Sequence, residues 1–492
     1  MLPPIPVLAD YGISPEHGFL PPTTPLRSLP SPYYAKWESI VSNLQALLLS
    51  RRLRSTIDCL PVLSTSYLHT DAEWRRAYVV LIFMLHGYIW GGDTPAERIP
   101  PSISIPLLEV CDYLEVPPVA TYAGLCLWNY RPIFPDEPAD NLDNLACINT
   151  FTGSLDEQWF YLVSVAIEAR GAPTLPLMLK AIAAARVGNS RVVTECLQEF
   201  AERLDEITTL LQRMYEHCDP HVFYHRIRPY LAGSKNMGDA GLPRGVMYDD
   251  GSGKEEYRQY GGGSNAQSSI IQFFDIVLGI EHRPTGVTRN DDPSQRDVDG
   301  VAPKPRHNFI LEMRQYMPGP HRRFLEHVSS VANIREFVEA RRSDKALCLA
   351  YDACLAMLRE LRDKHIQMVS RYIIIKSRES RDHSRSISPQ AVRSVVNLAS
   401  VKHPDSGVNK AGLRKLRGTG GTALIPFLKQ ARDETGEPAI DAWARRLLSN
   451  GPGDKSFAAL GKVDEHADGQ LEVVGMAGTW AMDDSEGGIC HW

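Results

Sequence analysis

Leu347, Tyr351, Cys354, Leu358, Leu361, His365, Met368 and Tyr372 recur at alternating steps of four and three. That spacing lays them on one face of a helix, so residues 347–372 are predicted as a long helix with this face in a core. Only His365 on the stripe is neither apolar, aromatic nor sulfur-bearing. A buried imidazole needs a partner for each ring nitrogen. It is either a core histidine bonded to its neighbours or a neutral nitrogen ligand to a metal or haem iron, and the pattern alone allows both.

Helical patterning dominates the rest of the chain. Residues 1–32 are proline-rich and are predicted as an extended arm over the surface. Helices are predicted over 33–53, over 71–90 with Asp71 as cap and Gly91-Gly92 as stop, over 107–114, and over 119–130 after Pro117-Pro118. Residues 33–145 are thus expected to form a small helical domain. From 146 to 450 the helices lengthen into a larger domain: 155–169, 175–187, an amphipathic 190–217, and one begun by Asp219-Pro220 that runs toward Leu231. Ser264 and Gln267 have the form of a capping box for a helix over 265–279. Residues 233–263 are read as a glycine-rich loop, 283–306 and 377–417 as irregular insertions, and 424–431 as a last helix before a loosely ordered tail over 451–492. Few segments alternate as strands do, and no repeat recurs, so the expected fold class is all-α, a small N-terminal helical domain joined to a larger one.

Composition narrows the function classes. At 492 residues, with 43% hydrophobic and 23% charged positions, the chain has the balance of an ordinary soluble protein. A net charge of -6 leaves no basic footprint for nucleic acid and no reason to expect a membrane surface. Nine scattered cysteines without a CxxC pair suggest neither a disulfide framework nor a thiolate zinc site, and fit a reducing compartment. The first residues lack a basic-then-apolar leader, and the longest apolar run, 77–90, is interrupted by His86 and Gly87 and too short to span a bilayer. A cytoplasmic location is expected.

Several clusters offer chemistry. His217, Cys218, His221 and His225 have ligand-like composition, but Asp219-Pro220 should break the helix between them and keep them off one face. Gly261-Gly262-Gly263-Ser264 precedes a helix and could cradle an anion, without the spacing of a dinucleotide fingerprint. Gly418-Thr419-Gly420-Gly421-Thr422 has the composition of a flexible lid or of an ordinary loop. Asp275 lies inside an apolar helix, where a lone carboxylate is costly, and Arg362 is a candidate partner. Arg228, set among aromatic residues, suits either a bidentate hold on a carboxylate or a structural ion pair.

Taken in order, Gly262–Ser269, Phe274-Asp275, Leu278-Gly279-Ile280, Met313–Pro318, Tyr351–Cys354, His365-Ile366-Gln367, Tyr372-Ile373, Gly418–Thr422 and Phe427-Leu428-Lys429 resemble the indoleamine 2,3-dioxygenase family. The resemblance covers most of residues 10–435. It implies a haem b enzyme in which His365 is the proximal iron ligand, with Asp275 and Arg362 supporting that side and Ser264 and Asn265 in the loop over the haem edge. It further implies that Tyr122, Phe160 and Ser164 form an indole pocket, that Phe223 is an apolar wall, and that Arg228 binds the substrate carboxylate. Ser264 and Thr419 would complete the substrate site, Thr419 on a loop that closes. The implied reaction adds dioxygen across the indole C2–C3 bond of L-tryptophan, or a related indoleamine, to give N-formylkynurenine. It needs an electron donor to keep the iron ferrous and no acid–base pair from the protein, and a monomer is expected. Tyr224 and Asn265 depart from the phenylalanine and alanine usual in the family and predict a more polar pocket. Two alternatives stand beside this: a haem protein that binds oxygen with little dioxygenase activity, and a helical interaction protein in which His365 is a satisfied core residue.

Overall fold

The computed structural model describes residues 3–285, 308–377 and 424–449, with short strands at 472–475 and 478–481. The arm leads into three short helices, α1 (Ala35–Ser42), α2 (Leu44–Leu49) and α3 (Leu53–Asp58). The single helix predicted over 33–53 is therefore broken, at Asn43 and again at Arg51, whose φ of 59° is left-handed. All three pack on α4 (Asp71–Trp90), which Thr70 caps by accepting the Glu73 N–H, one residue before the predicted cap, and which stops at Gly91. Every residue of α4 from Arg76 to Gly87 is buried, so the apolar run is a core helix.

After α5 (Pro101–Leu114) the chain leaves the prediction. Residues 116–121 form a loop, Ala123–Leu127 is a single wide helical turn, and strand β2 (Tyr130–Pro132) pairs antiparallel with β3 (Leu145–Cys147). A helix over 119–130 does not form because this backbone finds partners elsewhere. The hydroxyls of Tyr248 and Tyr78 donate to the Pro118 and Val119 carbonyls, while His86 and Gln267 accept from the Ala120 and Tyr122 N–H groups. Two more short strands, β4 (Val246–Tyr248) and β5 (Tyr257–Arg258), lie in the predicted 233–263 loop, and β4 pairs parallel with β1 (Arg98–Ile99).

The longer helices follow. Ser154 caps α6 (Leu155–Gly171), and the Asn189 side chain caps α8 (Ser190–Gln212), which follows α7 (Thr174–Arg186). Asp219 accepts from the His221 and Val222 N–H groups and starts the helical stretch that reaches Leu231, as its sequence predicts. The helix α9 (Ser269–Leu278) starts four residues later than predicted, because Ser268 is its cap and Gln267 turns away to bond Tyr122 and Gly262. The capping box of Ser264 and Gln267 is not made.

Beyond α10 (Gly319–Val331), Asp344 accepts the Leu347 N–H and opens α11 (Lys345–Val369). Its stripe is buried at Leu347, Tyr351, Cys354, Leu358, Leu361, Met368 and Tyr372, and only half-buried at His365. α11 packs along α8 on one side and against α12 (Leu424–Gly436) on another, with α13 (Ala442–Ser449) beyond. In the predicted tail, β6 (Glu472–Gly475) pairs antiparallel with β7 (Gly478–Ala481). The predicted lid over 418–422, with Thr419, and nearly all of both predicted insertions lie outside the described residues.

Candidate functional site

α11 turns His365 toward open space rather than toward a neighbouring helix. Neither ring nitrogen has a hydrogen-bond partner among the described residues, whereas His86 and His282 are bonded at both. Burial, with the Arg362 cation nearby, lowers the pKa of His365 to about 4. The imidazole is therefore neutral, with a nitrogen lone pair uncommitted.

Two cavities meet at this ring, both lined mainly by apolar side chains. Tyr122, Asn265, Ala266, His365 and Phe427 border both. Phe160, Phe223, Arg228 and Ser264 wall the first, and the Phe160 and Phe223 ring centroids lie 4.7 Å apart. Ser164, Asp275 and Arg362 wall the second. Phe160 and Ser164, one turn apart on α6, thus face adjoining spaces rather than one pocket.

Arg228 is 2% exposed, with the Tyr224 ring centroid 5.7 Å from its guanidinium carbon. Burial lowers its pKa only to about 10, so a full positive charge stands in a largely apolar wall at neutral pH. In the second cavity, one Arg362 nitrogen donates to both Asp275 oxygens, at 2.6 and 2.8 Å. His282 bonds Asp275 through Nε2 at 3.0 Å and Glu434 through Nδ1 at 2.7 Å. Burial opposes the charge on Asp275, but Arg362 and His282 outweigh it and hold its pKa below the usual carboxylate value. Burial likewise opposes a charge on His282, and Asp275 with Glu434 raises its pKa in spite of that. Arg362 also donates to the Thr435 hydroxyl, so α9, α11 and α12 are joined by alternating charges one turn from His365.

The Tyr122 hydroxyl donates to Glu168 Oε1 at 3.0 Å, and the Ser268 hydroxyl donates to the same oxygen at 2.7 Å. Burial raises Glu168 to about 7, against the pull of those two bonds, and its Oε2 has no partner among the described residues. Of these residues, Glu168, His282 and Glu434 escape a reading of the sequence. Glu168 carries the same signal that marks Asp275, a lone carboxylate in an apolar helix, whereas His282 and Glu434 sit in polar stretches without one. The other histidine cluster does not converge: His217 packs edge-on against Trp159 while His221 and His225 lie ring to ring at 4.4 Å. Among the described residues no group of three or more His, Cys, Asp or Glu side chains is placed to hold a metal ion.

The fold and the site together define a class: a helical protein in which largely apolar cavities meet at one imidazole with an uncommitted nitrogen. The chain belongs to the indoleamine 2,3-dioxygenase family, which matches residues 7–438. It is 43% identical over 447 residues to the indoleamine 2,3-dioxygenase of Saccharomyces cerevisiae, covering 88% of this chain and 93% of the relative. The 6-hydroxytryptophan 2,3-dioxygenase of Fusarium equiseti is 38% identical over 427 residues, 87% of this chain and 96% of its own. Indoleamine 2,3-dioxygenase 2 of Homo sapiens is 32% identical over 438 residues, 88% and 95% of the two chains.

Proposed function

We propose that this protein is a haem-dependent dioxygenase that opens the indole ring of L-tryptophan to N-formylkynurenine. One observation carries the proposal: the neutral imidazole of His365, without a hydrogen-bond partner among the described residues, opens onto the same cavity as the buried guanidinium of Arg228. The residues present fit a haem. His365 offers the axial nitrogen, Asp275 and Arg362 hold the helix turn that carries it, and the surrounding apolar walls suit a flat macrocycle. When bound, ferrous haem supplies the activation of dioxygen, both atoms of which enter the product across the cleaved C2–C3 bond.

The protein's own part is binding and exclusion of water. Arg228 pairs with the substrate carboxylate in a site too dry for the charge to be screened. Phe160 and Phe223, packed against each other, offer the indole an aromatic wall, and Tyr122, fixed through Glu168, extends it. Ser264 and Asn265 line the loop side. Insertion of both oxygen atoms consumes no net electrons, so a reductant serves only to keep the iron ferrous.

The test is the absorption spectrum of the purified protein, reduced under oxygen, with L-tryptophan added and N-formylkynurenine followed. A Soret band that His365→Ala abolishes, together with product, is the expected result. A Soret band without product would leave an oxygen-binding protein, and full haem occupancy in His365→Ala would overturn the ligand.

A further inference from the structure

His86 lies on α4, far in sequence from the residues assigned to the site, yet its two ring nitrogens bond the backbone on either side of it. The Ala120 N–H donates to Nε2 at 2.9 Å, and Nδ1 lies 2.7 Å from the Tyr230 carbonyl oxygen. A backbone N–H can only donate and a carbonyl can only accept, so the tautomer follows: Nδ1 carries the proton and Nε2 is bare. The ring is fully buried, and burial lowers its pKa to about 4, against the pull of the Tyr230 carbonyl. Protonation would cost the bond from Ala120, so the neutral form and the two bonds require each other.

Their placement gives these bonds a consequence. Ala120 stands two residues before Tyr122, and Tyr230 two residues after Arg228. Elsewhere on α4, the Tyr78 hydroxyl donates to the Val119 carbonyl at 2.7 Å and Trp90 Nε1 donates to the Ala232 carbonyl at 2.9 Å. Tyr78 and Trp90 thus hold one segment each, and His86 holds both.

We propose that His86 is a positioning residue that sets the distance between the Tyr122 wall and the Arg228 anchor, and through it the affinity for the amino acid substrate. The proposal rests on Arg228 as the carboxylate anchor. A helix outside the cavity then tunes substrate binding without touching substrate, and leaves His365 and its charged support unaffected.

His86→Met keeps the volume and removes both bonds, whereas His86→Gln retains a donor and an acceptor on one side chain. In the holoenzyme, His86→Met should raise KM for L-tryptophan about ten-fold, the scale of two lost buried hydrogen bonds, while kcat falls by less than about three-fold. Its Soret band should match that of the wild type, and His86→Gln should return KM to within about two-fold of it. Arg228→Ala measured alongside reports on the anchor separately. A raised KM in Arg228→Ala with an unchanged one in His86→Met overturns the role of His86 alone; unchanged values in both overturn both assignments. A His86→Gln variant no better than His86→Met, with haem content equal, also overturns it. If His86→Met does not accumulate as holoenzyme, nitrogen-15 NMR of the wild-type holoenzyme decides, with the His86 signal assigned by its loss in His86→Gln. The ring should be Nδ1-protonated and should not titrate between about pH 5 and 8, and a His86 that titrates there refutes the arrangement.

Discussion

Arg228 is buried to 2% exposure beside the ring of Tyr224 and lines the cavity onto which His365 opens. Replacing it with alanine should lower kcat/KM for L-tryptophan by ten-fold or more, the scale of a charge-assisted pair of about 1.5–3 kcal/mol. Steady-state kinetics at constant haem content check this, and an unchanged kcat/KM would rule out the anchor. Glu168 makes a different prediction, because its pKa is raised from 4.5 to about 7. A carboxyl shifted upward in the folded state destabilises that state once ionised, so stability should fall as pH climbs from 4.5 through about 7. Glu168→Gln keeps an acceptor for Tyr122 and Ser268 but no charge. It should unfold at higher urea than wild type at pH 8, by as much as about 3 kcal/mol, and at the same urea near pH 4. Parallel urea titrations at the two pH values settle it, and equal midpoints at both would show that the folded state does not raise the pKa of Glu168.

Among the elements, α12 carries Leu424, Phe427 and Leu428 on the cavity wall and begins just after the predicted lid. Glu434 holds it through His282 to Asp275 on α9, with Thr435 bonded by Arg362 and Arg283 paired to Glu437 nearby. His282 has a raised pKa, so the stabilisation it gives is complete below its unfolded value of 6.5 and is lost as pH rises through the higher folded one. Haem release from the wild type should therefore quicken as the solution turns alkaline, while His282→Gln should release haem faster at low pH and converge on the wild-type rate at high pH. Stopped-flow transfer of haem to an acceptor protein measures both. A constant ratio of the two rates across the range would show that His282 acts by packing and not by charge.

For the whole molecule, one apolar core includes Tyr34 and Trp37 near the N-terminus as well as Tyr351 and Leu358 of α11, so haem binding at His365 should stabilise the whole. A ligand present at a thousand times its Kd adds about 4 kcal/mol to the folded state. Calorimetry should show a higher Tm for the haem-loaded protein than for the haem-free one, with no such gain in His365→Ala. A melting transition indifferent to haem would mean that the cavities do not hold it.

Periodicity along the chain was sufficient to identify α4, α6, α7, α8 and α11, because a helix face repeats every three or four residues whatever it packs against. The same local rules located His365 on a buried stripe and required a partner for Asp275, since an isolated carboxylate among apolar neighbours is costly; the structure supplies Arg362, the candidate. Local rules failed over residues 119–130 and at the start of α9. There Tyr78, Tyr248, His86 and Gln267, distant in sequence, supply the hydrogen bonds that a helix would otherwise have made. Tertiary structure alone left His365 without a hydrogen-bond partner among the described residues, divided the space around it between two cavities, brought His282 and Glu434 to Asp275, and set Glu168 behind Tyr122. A repeat of three or four residues is written into the order of the side chains, whereas an empty nitrogen or a bridging imidazole exists only once separate helices have met.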